Sequence, residues 1–192
     1  PQNMSPRQVG VITSQIDEAA REVGISIVGG HSEFTPGLDR PILITTGIGE
    51  AEKGRLVCSS GVRVGDKILV TKGLAIEGTA ILATELEDIL LRRGVSREVV
   101  ERAKGFIRMV SVVPDALTAM QAGGVHAMHD ATEGGVAGAL QELAWASNVD
   151  IVASEVEMPI YKETEAICNA LGADPLRTIS SGALVILSLI HI

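Results

Sequence analysis

Residues 130–135 read Asp-Ala-Thr-Glu-Gly-Gly and stand between a short apolar run, Val125–His129, and a segment of helical spacing, Val136–Ser147. In that segment Val136, Leu140, Leu143 and Ala144 fall on one helix face. A strand that feeds an amphipathic helix through paired glycines constrains the chain, because strands alternating with helices argue for α/β layers. The same turn carries chemistry. It offers the Asp130 carboxylate, the Thr132 hydroxyl and the amides of Gly134 and Gly135, which have no side-chain cover. Amides at a helix start attract anions. A carboxylate beside them suits Mg²⁺, which prefers oxygen ligands and bridges to phosphates. A second reading stays open, because Asp130 and Glu133 also have the spacing of a capping box.

The rest of the chain repeats this alternation. Val9, Ile12, Ile16 and Val23 give helical spacing over Pro6–Val23, with Ser5-Pro6 as its start and Gly24 as a left-handed stop. Ile25–Val28 and Ile42–Thr46 read as strands, each ending in glycines. Ala51–Asp66 is rich in Gly, Ser and charge, and places a domain boundary near Gly54. Beyond it we expect a strand at Lys67–Val70, helices at Ile76–Arg93, Ser96–Met109 and Pro114–Ala122, and the strand Val125–His129. The helix Val136–Ser147, a short strand at Ile151–Val152, a helix at Lys162–Leu171 stopped by Gly172, and a last strand from Ala183 to Ile186 complete the order. Strands alternating with helices argue for an α/β fold with layered packing.

Two further turns are candidate sites. Gly29-Gly30-His31-Ser32-Glu33 follows a strand, and its glycines would let the backbone approach a ligand while His31 contacts phosphate or metal; a sharp turn with a solvated histidine is the alternative. Thr71-Lys72-Gly73 also follows a strand, and Lys72 could neutralise a phosphate or simply be solvated. Glu77-Gly78-Thr79 could support the same pocket. Other signals fail. No GxxxxGK[ST] motif occurs, and Gly47-Ile48-Gly49 lacks the third glycine of a dinucleotide fingerprint. His126 and His129 lie three apart on an expected strand, which sends them to opposite faces and argues against a metal pair.

Bulk properties exclude several function classes. A net charge of −8 disfavours nucleic-acid binding, and 2% aromatic residues leave few rings to stack on bases. Cys58 and Cys168 are far apart in sequence and form no CxxC pair, which fits a reducing cytoplasm rather than a disulfide framework. No apolar run approaches the length of a membrane span, so no membrane role is expected. The closing residues Leu187–Ile192 break the preceding pattern and match the translation of a sequencing adapter. We expect this tail to be non-native, the gene to continue past Ile186, and His191 to carry no function.

Four blocks, taken in order, resemble the aminoimidazole ribonucleotide synthase-related superfamily, also called PurM-like. They are Ile27–Glu33, Thr45–Gly49, Gly65–Gly73 and His129–Val136. The Asp-x-Thr-x-Gly-Gly-Val-Ala form at Asp130–Ala137, with Ala173–Leu176 and Ser180-Ser181-Gly182, is most similar to the HypE type of hydrogenase maturation protein. Gly-Gly-His-Ser at Gly29–Ser32 is closer to selenophosphate synthetase.

The resemblance implies a PurM-like two-domain architecture of the α/β (α+β) class: residues 1–53 as part of an ATP-binding domain and 54–186 as part of a layered α/β domain. It implies a homodimer that binds ATP and Mg²⁺ and acts on a small-molecule or carrier-protein substrate by activating a carbonyl or amide oxygen. By carry-over, Gly29, Gly30, His31 and Ser32 would line the cleft from the first domain. Thr71, Lys72 and Gly73, with Asp130, Thr132, Gly134 and Gly135, would line it from the second. Asp130 would be the metal ligand and, with His31, the catalytic pair. The resemblance also implies that an acidic glycine-rich segment precedes Pro1 and a reactive cysteine follows Ile192, which would leave this stretch catalytically incomplete. Selenophosphate synthesis, aminoimidazole ribonucleotide synthesis and a non-catalytic nucleotide-binding module are the alternatives.

Overall fold

The computed structural model describes residues 1 and 3–189. The chain divides into two units, Pro1–Ala51 and Glu52–Ile192.

The first unit is built on one helix, α1 (Pro6–Glu22). Local chemistry starts it. Ser5 Oγ accepts from the Gln8 amide at 3.3 Å while Gln8 Oε1 accepts from the Ser5 amide at 2.8 Å, a reciprocal cap worth about 1 kcal/mol. Gly24, at φ +72°, lets the chain leave the helix. The two strands expected next are not formed: neither Ile25–Val28 nor Ile42–Thr46 is paired. Their side chains stand in solvent, with Val28 96% and Ile44 88% exposed. A strand exists only when its N–H and C=O groups meet a neighbouring ladder, and the described residues of this unit form none. An open groove of about 610 Å³ lies between α1 and Asp39–Pro41 and includes none of the candidate site residues.

The second unit carries a three-stranded antiparallel sheet in the order β1-β3-β2, formed by β1 (Lys67–Val70), β2 (Val125–Asp130) and β3 (Leu184–Ser188). Leu69 and Met128 both face Ile186 across the ladders, and a bulge between Val125 and Ala127 shifts the β2 register. The last strand therefore runs beyond Ile186. Leu187 and Ser188, set apart above with the tail, are paired in β3, whereas 190–192, His191 included, lie outside the described residues.

Both faces of β3 are covered, which is why it reads as continuously apolar. Val185 and Leu187 pack on Val136, Ala139, Leu140 and Leu143 of α6 (Gly135–Ser147). Leu184 and Ile186 pack on Ala119 of α5 (Val113–Ala122). Burial of a leucine such as Leu143 contributes about 2 kcal/mol.

A second core joins α2 (Ile76–Glu85), α3 (Glu87–Arg92), α4 (Arg97–Lys104) and α7 (Lys162–Leu171) through Ala83, Leu90, Val100, Ala103 and Ile167. The single helix expected over Ile76–Arg93 is broken at Leu86, where φ is −117°; the break lets Ala83 and Leu90 both point into this core. The helix expected over Ser96–Met109 starts on the Ser96 cap but tightens at Gly105 into a 3₁₀ turn, Gly105–Met109. Ile151–Val152 forms no strand, although Ile151 packs against the α6 core. Among the described residues no helix is long and apolar enough to cross a membrane.

Candidate functional site

Because β3 is antiparallel to both neighbours, β1 and β2 end on the same side of the sheet. Val70 lies opposite Val185, and Asp130 opposite Leu184. The turns Thr71–Ala75 and Asp130–Gly135 therefore flank one sheet end, with Gly182–Leu184 between them. Backbone hydrogen bonds fix this: Thr71 N–H donates to the Leu184 carbonyl at 3.0 Å and Ala131 N–H to the Ala183 carbonyl at 2.9 Å. The Thr71 hydroxyl accepts from the Leu184 amide at 3.1 Å. Two sets of site residues expected from sequence, Thr71-Lys72-Gly73 and Asp130-Thr132-Gly134-Gly135, are thus brought together by the fold. Gly29, Gly30, His31 and Ser32 belong to the first unit, where all four are exposed.

The Asp130 turn does not form the capping box. The N-cap of α6 is Gly134, left-handed at φ +78°, and it makes no side-chain cap. Asp130 is left pointing to solvent, its side chain 59% exposed and 3.7 Å from His129 Nδ1. Not all amides at this turn are open: Gly135 N–H donates to the Thr132 carbonyl at 3.0 Å and Ala137 N–H to the Leu176 carbonyl at 3.0 Å. Gly135 is required for shape. At φ +63°, a Cβ here would lie 2.5 Å from the Leu176 oxygen and 2.7 Å from that of Thr178. His129 fastens the turn to α6, with Nε2 2.6 Å from Glu142 Oε2 and Nδ1 2.8 Å from the Asp130 carbonyl.

His126 takes a different carboxylate, with Nδ1 2.8 Å from Asp66 Oδ1. The other Asp66 oxygen accepts the Arg63 amide at 2.8 Å, so the Gly65-Asp66 motif pins the entry to β1. Among the described residues no group of three or more His, Cys, Asp or Glu is gathered to hold a metal.

The Thr71 turn is the more strained of the two. Lys72 and Ala75 are left-handed without being glycine, at φ +56° and +53°. Such residues cost on the order of 1 kcal/mol each and persist only where surroundings enforce them. Here Leu74 N–H donates to the Pro159 carbonyl at 2.9 Å and Ala75 N–H to the buried Ser180 hydroxyl at 2.7 Å. Gly73 lies under the Tyr161 ring, where a Cβ would stand 3.0 Å from two ring carbons and 3.2 Å from the Pro159 carbonyl, a tight fit. The Lys72 ammonium is held by Asp115 Oδ2 at 2.6 Å and the carbonyls of Gly182 and Ser111 at 2.8 and 3.1 Å. That differs from the free phosphate counter-charge, and from the solvated lysine, read in the sequence. In the first turn of α2, Glu77 Oε2 is buried with no hydrogen-bond partner among the described residues. Asp115 and Glu142 had no signal in sequence, and Ser180 was marked only within the Ser180-Ser181-Gly182 block of the resemblance, because their roles come from partners distant along the chain.

Residues 63–189 match the family described as AIR synthase related protein, C-terminal domain. The chain belongs to this family. A protein of Methanocaldococcus jannaschii named for hydrogenase expression and formation is 30% identical over 96% of this chain and 52% of its own length. Carbamoyl dehydratase HypE of Cupriavidus necator is 31% identical over 91% of this chain and 47% of its own length. The chain thus spans about half the length of the curated relatives it matches. Among solved structures, hydrogenase maturation protein HypE in complex with ATP superposes with a TM-score of 0.70 at 21% identity, covering 97% of this chain and 53% of that one. The family is PurM-like, and its C-terminal fold accounts for the helices and small sheet seen here.

Proposed function

We propose that this chain is part of an ATP-dependent enzyme of the HypE type, in which ATP phosphorylates a carbonyl or amide oxygen and so makes it a leaving group. One observation carries the reading: two glycine-bearing turns, distant in sequence, flank β3 at one end of the sheet, and the Asp130 carboxylate stands exposed there. It is supported by likeness to a carbamoyl dehydratase and by a structural neighbour that holds ATP. Asp130, exposed and 3.7 Å from His129 Nδ1, fits a single carboxylate ligand to Mg²⁺ of the kind that completes its shell with phosphate and water. Thr132 and the Gly134 amide would stand next to it as donors to phosphate oxygens. In this reading the exposed runs Ile25–Val28 and Ile42–Thr46 supply strands to a homodimer, and Gly29, Gly30, His31 and Ser32 contact phosphate.

The test is Mg·ATP binding by the full-length protein, by titration calorimetry, with Asp130→Ala and Asp130→Asn beside it. A loss of affinity of about tenfold or more is expected for both. Equal affinity in all three proteins would remove Asp130 from the site.

A further inference from the structure

The ammonium of Lys72 carries three hydrogens, and three protein oxygens lie within hydrogen-bond distance of it: Asp115 Oδ2, the Gly182 carbonyl and the Ser111 carbonyl. No donor is left for a ligand. The oxygens come from α5, from the turn that enters β3, and from the segment that leads into α5, so a single charge fastens three parts of the fold to the end of β1. Both charged groups are largely enclosed, with side-chain exposures of 22% for Lys72 and 19% for Asp115. Around them the chain is left-handed twice within four residues, at Lys72 and Ala75. Every neighbouring bond holds the same shape: Thr71 to Leu184, Leu74 to Pro159 and Ala75 to Ser180.

We infer that Lys72 is a positioning residue of the nucleotide site and not a phosphate ligand: its point charge, with Asp115, clamps the Thr71–Ala75 turn so that the turn's backbone and Thr71 face the site in a fixed geometry. The inference rests on the ATP-binding reading above. Lysine suits this role better than arginine. A compact ammonium fits three oxygens gathered around one point, whereas a planar guanidinium needs them in a fork.

The experiment uses the full-length protein with Lys72→Met, Lys72→Arg and Asp115→Asn. Affinities for Mg·ATP and Mg·ADP are measured well below each variant's melting temperature, and hydrogen exchange is followed at the amides of residues 71–75. Lys72→Met is expected to weaken ATP and ADP by the same factor, about tenfold, and to speed exchange at the Ala75 amide. Lys72→Arg, though it keeps the charge, is expected not to restore affinity. Asp115→Asn, the mildest change, shifts both readouts in the same direction. A loss confined to ATP, or rescue by arginine, would assign Lys72 directly to the phosphates and overturn the inference. Unchanged affinity with a lowered melting temperature would also overturn it, leaving a purely structural ion pair. If the unaltered protein binds no nucleotide, the ATP reading falls. Exchange at Ala75 then decides the clamp alone, and unaltered exchange in Lys72→Met would end it.

Discussion

Ile25–Val28 and Ala183–Ile186 are alike on paper, each a short β-branched and aliphatic run beside glycine. In the structure Val28 is 96% exposed and Val185 is fully buried. Val185 belongs to a strand with a neighbour on either edge and a helix over each face. Val28 belongs to a unit whose helix α1 is held by its own caps and whose apolar runs are unpaired among the described residues. The contrast shows what strand propensity measures: readiness to join a pleated, half-covered surface, and not an ability to make one. Helices differ, because their hydrogen bonds close within the segment.

The contrast can be broken by paired substitutions. The largest difference is expected between Leu143→Ala, in the α6 core, and Ile44→Ala, in the first unit. In denaturant unfolding of the monomer, at concentrations too low for a homodimer to form, the former should cost about 2 to 5 kcal/mol, the latter less than about 0.5 kcal/mol. A comparable loss at Ile44 would show that the first unit's runs are buried in solution by some partner.

Next come two glycines. Gly135→Ala places a Cβ against two carbonyl oxygens at positive φ and should cost about 3 kcal/mol. Gly29→Ala meets nothing within 4 Å and should be close to neutral in the same measurement.

Thiol labelling sharpens the comparison without mutation. Cys58 is exposed and Cys168 buried. Burial pushes the Cys168 thiol up, the Asp174 charge adds to this, and a hydrogen bond with Thr178 opposes it. Only the thiolate reacts, so Cys58 should label in minutes at neutral pH and Cys168 only on unfolding. Equal rates would mean that the α7 core opens readily.

The smallest effect concerns the surface pair Glu87–Lys104, at 2.6 Å. The bond to Lys104 holds the Glu87 carboxyl below its usual range, and bonds to Glu101 and Glu87 hold Lys104 above its own. The Glu87 contribution is present above the ordinary carboxylate range and is lost as pH falls through the lowered value. The Lys104 contribution is present below the ordinary ammonium range and is lost as pH rises through the raised one. Melting temperatures of the protein and of Glu87→Gln should therefore differ by a small constant amount at mid pH and converge in acid. A gap that widens in acid would reverse the sign assigned here.

Much of the second unit was legible because its signals are local. Lys162–Leu171 with Gly172 as its stop, and the glycine pair after Ala122, stand where spacing and caps put them. The Asp130 turn was legible as strand, glycines, helix; its capping box was not formed, since Gly134 took the cap position. The break at Leu86 escaped because apolar spacing continues unbroken across it, and only the position of the α4 and α7 core decides where the chain must bend. Lys72 was visible as a conspicuous residue but not in its role.

By itself the sequence determined α1, α5, α6 and α7 to within a residue or so at each end, and the ordered glycine turns, because capping and helical periodicity act over three or four residues. Tertiary structure alone decided which apolar runs became strands and what Lys72 does. Its oxygen partners at Asp115 and Gly182 lie 43 and 110 positions away, and only the closing of β3 between β1 and β2 brings the Thr71 and Asp130 turns to one end of the sheet.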